Sequence, residues 1–531
     1  MSELEYWAGR FWKGTISRRE FLGRAGALGA TALTSSLVAK IANAAEPKKG
    51  GFARFALAGG ATTDTMDPGT WPDTFTQCAF YGAMCSNLTE INAAGQVVGN
   101  LAESFEPSDG AKKWAFKLLK GVTFHNGKTL TSTDIVENFH FHMAPDSKSA
   151  AKSLLASVAS VTADGPDTVI FQLTGGNADF PALVSDYHLA IMPAKDGGGI
   201  DWAKGVGTGA FSLENFNPGV SAKLKRNPNY HKNNQPYFDE VEFLSVTDVS
   251  ARTNALTTGE VHFMAACDLK TLSLMKRNPK IEIMEVSGIG HYTLAMNTQL
   301  APFNNPDVRR ALKYAIDREE IVKKVFLGHA KAGNDNPIAS SIKYAIDPKP
   351  QYAYDVEKAK FYLKKAGLSS LDVTLSIAEA AFAGATDTAV LYSNQAAKAG
   401  INLKVDRQPN DGYWDNVWMK KPFCAVYWDG RVTCDWMFTS TYAEGAAWND
   451  TNWKNARFNE LLVSARSELD DTKRAAMYGE MQQIAHDDDG TIVLVFNNFV
   501  NATAKNIGHG DLVKTWNVDG FKAAERWWFN A

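Results

Sequence analysis

Cysteine is scarce in this chain, with five in 531 residues. An odd number cannot pair completely, so at least one thiol stays free and no dense disulfide framework holds the fold. Cys78 and Cys85 are seven residues apart, which on one helix means about 10 Å, too far to bridge. Cys424 and Cys434 flank a turn and could pair. Long apolar runs are also missing. The stretch Ala25 to Ala42 is broken by Gly, Thr, Ser and Lys40, and no later stretch reaches the roughly 18 uninterrupted apolar residues of a membrane span. Charge of one sign is absent as well: 55 Lys and Arg stand against 58 Asp and Glu, a net charge of −3. That balance argues against nucleic acid or an anionic membrane as partner. No Gly-x-Ser-x-Gly or His-Glu-x-x-His occurs and the histidines are scattered, which argues against an enzyme. No Cys/His spacing makes a metal site, and no cofactor is expected. His125, His140 and His142 form the nearest cluster, but His140 and His142 fall on different faces of a helix and read as structural.

What is present begins with an export signal. Ser17-Arg18-Arg19-Glu20-Phe21-Leu22 resembles a twin-arginine motif, and Ala42-Asn43-Ala44 has the small-x-small pattern of a signal-peptidase site. Residues 1–45 are therefore expected to be a signal peptide cleaved near Ala44/Ala45. No cysteine precedes Cys78, so a lipid anchor at the cleavage site is not expected. The mature chain is expected to be free in the periplasm.

Along the chain, strands alternate with helices without an internal repeat, and 531 residues exceed one core. This implies an α/β protein of two or three domains. Alternation predicts strands at Phe52–Leu57, Trp114–Leu118, Val220–Leu224, Val261–Ala265, Tyr292–Asn297, Val373–Ile377, Asn402–Val405 and Thr491–Phe499. Helices are predicted at Thr131–Met143, capped by Thr131 and Asp134, and at 251–260, 308–317, 355–366, 387–398 and 473–486. The run Gly205-Val206-Gly207-Thr208-Gly209-Ala210-Phe211 lacks the third glycine and the capped helix of a nucleotide loop. It reads as a turn.

The segment Tyr413 to Trp453 holds six of the fourteen tryptophans. Within it, Val426 to Trp428 reads as the end of a buried strand. After Gly430 a loop carries Arg431, Asp435 and Trp436. A charged fork beside aromatic walls suits a polar small molecule. The alternative is a Trp-rich core strand with a solvated loop.

Landmarks over nearly the whole chain resemble the peptide- and nickel-type solute-binding proteins of ABC importers. They are Leu101-Ala102-Glu103-Ser104-Phe105 with Gly121 to Gly127 and Leu130 to Val136, Gly207 to Phe211 with Arg226-Asn227-Pro228-Asn229-Tyr230, and Pro302-Phe303 with Val308 to Ala311 and Ala315 to Arg318. The resemblance implies a two-lobed periplasmic-binding-protein fold (type II, cluster C) with an inserted domain. Lobe I would comprise 46–88, 204–291 and 504–531, the insert 89–203, and lobe II 292–503. It also implies a monomer that delivers its ligand to an inner-membrane ABC permease and ATPase.

Relatives that bind free peptides carry an Asp three residues after the strand tryptophan, where it grips the α-ammonium. Here that position is Arg431. Aligning through Gly400 and Tyr413 places Glu379 where dipeptide-type relatives hold the ligand carboxylate with Arg. Both charges are reversed, so a small anionic ligand is expected: peptide-like, opine-like or an aminopolycarboxylate. A structural salt bridge from Arg431 to Asp429 or Asp435 is the competing expectation. Trp428, Trp436, Asp435 and Tyr413 complete this side of the expected site. Thr63, Asp64 and Thr65 would contribute from lobe I, and Asn334 from a lobe II loop. An ordinary di- or oligopeptide carrier and a metal-chelate carrier are the alternative functions.

Overall fold

The computed structural model describes residues 47–531 apart from Asp411 and Ala447. The expected export signal and its cleavage site lie outside the described residues. Two long strands organise the molecule. Ile281–Met296 and Thr491–Ala504 run antiparallel through an 11-stranded sheet and connect its two halves. Near Ile281 and Ala504 the sheet continues through Phe263–Met264, Phe52–Leu57, Glu240–Ser245, Ser221–Arg226 and Phe211–Asn217. Near Met296 and Thr491 it continues through Phe423–Trp428, Leu371–Ile377 and Ile401–Arg407, with Ala330–Ala332 on the flank. The fold is two-lobed and α/β.

The two crossing strands slip where the halves meet. Ser287 pairs with Asn498 and His291 with Phe496, so Gly288, Ile289 and Gly290 lie opposite Asn497 alone. Such a bulge bends a strand and weakens its ladder locally.

The halves have separate cores. One gathers Phe55, Phe80 and Phe243 with Phe116 and Phe171. The last two belong to a four-stranded antiparallel sheet of Ala102–Ser108, Lys113–Leu118, Thr168–Leu173 and Val158–Ala163. The other core gathers Leu294, Leu312, Leu375, Tyr392 and Phe438. Burying each such side chain stabilises the fold by roughly 1.5–3 kcal/mol.

Local chemistry explains several elements. Thr131 and Asp134 form a reciprocal capping box at the helix Ser132–Met143. The glycine-rich run lies against the π-helical segment Gln77–Met84, and a Cβ at Gly207 would come within 2.2 Å of the Met84 carbonyl. His125 bonds this loop through the Gly209 carbonyl at 3.0 Å, so both histidine and glycines are structural. All five cysteines are buried and free, including Cys424 and Cys434. No helix among the described residues is long and apolar enough to cross a membrane.

Candidate functional site

The site is built where the strand Phe423–Trp428 ends. The chain turns through Asp429, Gly430 and Arg431 and enters the helix Cys434–Thr441. Thr433 caps that helix, its hydroxyl accepting from the Trp436 amide at 3.1 Å. Asp435 and Trp436 are therefore helical rather than part of a loop, a correction to the sequence expectation. Gly430 lies directly on the crossing strand. A Cβ there would come within 2.3 Å of the Ile289 carbonyl oxygen.

Arg431 is only 8% exposed. Its Nη1 donates to the Asp429 carbonyl at 2.7 Å, and its guanidinium lies over the Trp436 ring, 5.3 Å from the centroid. The buried Nε has no acceptor. Among the described residues no carboxylate lies within 4.0 Å of the guanidinium. The expected salt bridge is thus not formed. Asp435 instead pairs with Arg466 at 3.0 Å and is structural. A buried guanidinium cannot shed its proton and is costly without an anion.

Asp429 is partly buried, and its carboxylate makes no hydrogen bond or ion pair among the described residues. Burial raises its pKa, and the nearby Arg431 charge opposes that rise. Tyr187, from the other half of the molecule, faces this turn. Burial raises its phenol, with smaller contributions from Asp186, Asp429, Arg431 and Tyr427. Tyr427 is 38% exposed. Burial raises its phenol, helped by Asp429 and by Asp73 of the opposite half. Beside it, Tyr292 stacks on Phe382 at 4.5 Å and Tyr427 meets Trp414 edge-on at 5.3 Å. His291 is fully buried beneath the turn, and desolvation pushes its pKa down to about 3. It is neutral at pH 7 and adds no positive charge near Arg431.

The other expected residues have different roles. Trp436 is buried among the residues of the opposite core, and its indole N–H has no acceptor. Trp428 packs between Trp418 at 6.0 Å and Trp448 at 6.3 Å, as a core wall. Tyr413 is buried and donates to the Ala425 carbonyl at 2.8 Å, so it is structural. Glu379 accepts from the Gly384 and Thr386 amides at 2.7 and 3.1 Å, capping the helix Ala385–Ala397. Asn334 holds its own loop, donating to Pro348 at 2.9 Å and accepting from Tyr352 at 3.1 Å. Asp64 accepts from the Ala61 amide at 2.8 Å, closing a turn. Thr65 bonds Thr70 at 3.3 Å, while Thr63 is exposed. Asp73, rather than these three, is the acidic residue of the opposite half that adds to the effect of Asp429 on Tyr427.

A cavity of about 750 Å³ adjoins the bulged strands, lined among others by Ser287, Lys331, Asn334, Phe496, Asn498 and Lys514. Arg431 is not in its wall. No group of three His, Cys, Asp or Glu residues among the described residues could hold a metal.

A family model described as "Bacterial extracellular solute-binding proteins, family 5 Middle" matches residues 96–450. The chain belongs to that family. Family 5 proteins are periplasmic, bind peptides or small ligands and work with ABC permeases; they are transport proteins and not enzymes. A curated relative is the glutathione-binding protein GsiB of Escherichia coli O6:K15:H31, 27% identical over 466 residues, covering 85% of this chain and 90% of GsiB. Two solved structures share the fold with a TM-score of 0.79 and 24% identity each, covering 91% of this chain and 99% of theirs. They are AgaA of A. tumefacien R10 with agropinic acid and DppA of Helicobacter pylori with the peptide STSA. Asp429, Tyr187, Tyr292, Phe382 and Tyr427 lie around the Arg431 turn and were not selected by the sequence reading. Only the position of Asp429, beside an arginine at a strand end, carried a signal.

Proposed function

We propose that this family 5 protein captures a small anionic ligand between two closing lobes and delivers it to an inner-membrane ABC permease and ATPase. Peptide-like, opine-like and aminopolycarboxylate ligands fit that description. The lobes have the limits given above, the chain acts as a monomer, and its signal peptide is removed near Ala44/Ala45. The observation that carries the reading is Arg431, buried without a carboxylate partner and with Nε lacking an acceptor. The Trp436 indole N–H, also buried without an acceptor, lies in the ring under the same guanidinium. An anion on these donors would satisfy both, in a cleft where charge contacts are much stronger than in water. AgaA, solved with agropinic acid, is a neighbour in fold and consistent with an opine-like cargo. Closure excludes water, and the ligand stabilises the closed state through its differential affinity. Micromolar affinity needs only about −8 kcal/mol.

The test is Arg431→Ala. It abolishes binding of the ligand identified by mass spectrometry of the purified protein, and leaves the melting temperature of the ligand-free protein nearly unchanged. A variant that unfolds while keeping affinity refutes the reading.

A further inference from the structure

The cavity beside the bulged strands is far larger than an anionic end group needs. Its volume of about 750 Å³ lies in the range of pockets that take a whole small ligand, and a carboxylate on Arg431 accounts for none of it. The cavity nevertheless begins close to the Arg431 turn. Gly288 is in its wall, and Ile289, the next residue of the bulge, meets Gly430. Phe496 is also in the wall, with its ring 5.5 Å from that of His291, whose pKa the Arg431 charge helps to lower.

The wall joins an aromatic face to hydrogen-bonding groups of both kinds. Phe496 and Asn498 stand two residues apart on the strand Thr491–Ala504, so they share one face of it. The Asn498 amide nitrogen donates to Glu285 at 2.6 Å, which leaves its carbonyl oxygen as an acceptor. The hydroxyls of Ser287 and Ser341 make no hydrogen bond among the described residues, so each can donate and accept. Lys331, Lys514 and Glu319 in the wall are exposed and carry both signs, so they select no second ion strongly.

We infer that the cavity takes a polyhydroxylated tail, a sugar-like chain or ring joined to the anionic end that Arg431 holds. The inference rests on the reading of Arg431 given above and narrows it to conjugates of an acid with a polyol. A hydroxyl both donates and accepts, so a row of them replaces the water lost from Ser287, Ser341 and Asn498 whichever role each group takes. The C–H side of the same tail covers Phe496. An alkyl tail covers Phe496 equally well but leaves the other three groups desolvated and unpaired. Discrimination therefore comes from those unsatisfied groups as much as from the contacts made.

The experiment is calorimetry of the mature protein with acids matched in carbon skeleton. Gluconate is set against hexanoate, and glutamate N-linked to a 1-deoxyhexitol chain against N-hexylglutamate, with glutathione and tri-alanine as peptides. In at least one pair the hydroxylated acid binds about tenfold tighter or more, and tighter than either peptide. Ser341→Ala lowers its affinity without weakening the alkyl partner, Phe496→Ala weakens both, and Arg431→Gln abolishes binding of both. Equal binding within both pairs, or a preference for a peptide, with Arg431 still required, overturns the polyhydroxylated tail and leaves the anion site standing. A preference untouched by both Ser341→Ala and Phe496→Ala overturns the assignment of the tail to this cavity. Binding that survives Arg431→Gln overturns tail and anion site together. Failure of every hydroxylated probe to bind also overturns the tail. Unchanged circular dichroism and melting of the ligand-free variants show that they fold.

Discussion

Arg474 reaches the carboxylate of Asp179 at 2.9 Å, joining the long helix Asp471–Asp488 to the segment that follows the strand Thr168–Leu173 of the four-stranded sheet. Next to it the Ala178 amide donates to the Arg466 carbonyl at 3.0 Å. These bonds cross between the two halves of the molecule. Asp179→Ala removes the ion pair and shifts the population toward the open form. We expect ligand affinity to fall about three- to tenfold, roughly 0.7–1.4 kcal/mol, with a larger radius of gyration for the ligand-free variant in small-angle scattering. An unchanged radius and affinity would show that the contact does not report closure.

Gly430→Ala tests the close approach to Ile289. The added Cβ cannot be accommodated within 2.3 Å of a carbonyl oxygen, so the turn must move. Overpacking of this kind costs about 1–3 kcal/mol. Ligand affinity should fall at least tenfold because Arg431 and Asp429 move together, and a differential scan should show a lower melting temperature. Preserved affinity would place the ligand elsewhere.

Asp450 sits in the second core, accepting from the Trp418 indole at 3.2 Å, and burial raises its pKa to about 7. A raised carboxyl binds its proton more tightly folded than unfolded, so its contribution to stability is greatest at low pH. That contribution is lost as pH rises from about 4 toward 7 and stays lost above. Asp450→Asn keeps an acceptor for Trp418 and never ionises. The variant should melt higher than the parent at pH 8, by on the order of 1–3 kcal/mol in stability, with the gap closing near pH 4. A gap independent of pH would refute this.

Glu525 lies in a buried cluster with Lys232 at 2.7 Å and Lys522 at 3.5 Å. Burial raises its carboxyl, but Lys232, Lys522 and Arg526 outweigh that and hold its pKa well below the usual carboxylate range. Its stabilisation is therefore complete above about pH 4.5 and is lost only as pH falls through the depressed folded value. Glu525→Gln should cost about 3–5 kcal/mol at pH 7, measured by chemical denaturation, and the deficit should shrink in acid below pH 4.

Much of the architecture was readable because local and global signals agree. The capped helix Ser132–Met143 and the alternating strand Phe52–Leu57 appear within a residue of where their patterns place them. The crossing strands were seen only in part, as Tyr292–Asn297 and Thr491–Phe499, because Gly288, Gly290 and the Asn497-Asn498 pair interrupt alternation at the bend. Arg431 stood out by register against the family pattern. Glu379 was placed by an alignment anchored on Gly400 and Tyr413, which cannot tell that Glu379 caps a helix and that Tyr413 points into a core. Asp429 was weighed only as a partner for Arg431. The turning of Nη1 onto backbone carbonyls, which keeps the two apart, leaves no trace in residue order.

The bulge at Gly288, Ile289 and Gly290 has a consequence for how occupancy could be detected. With three residues facing Asn497 alone, the connection between the lobes is weakest at a few peptide groups. Any relative rotation concentrates its torsional change there while the flanking ladders stay paired. Amide exchange at these positions should slow when cargo is held and quicken on release, a backbone gauge of the transport cycle that needs no label on the ligand.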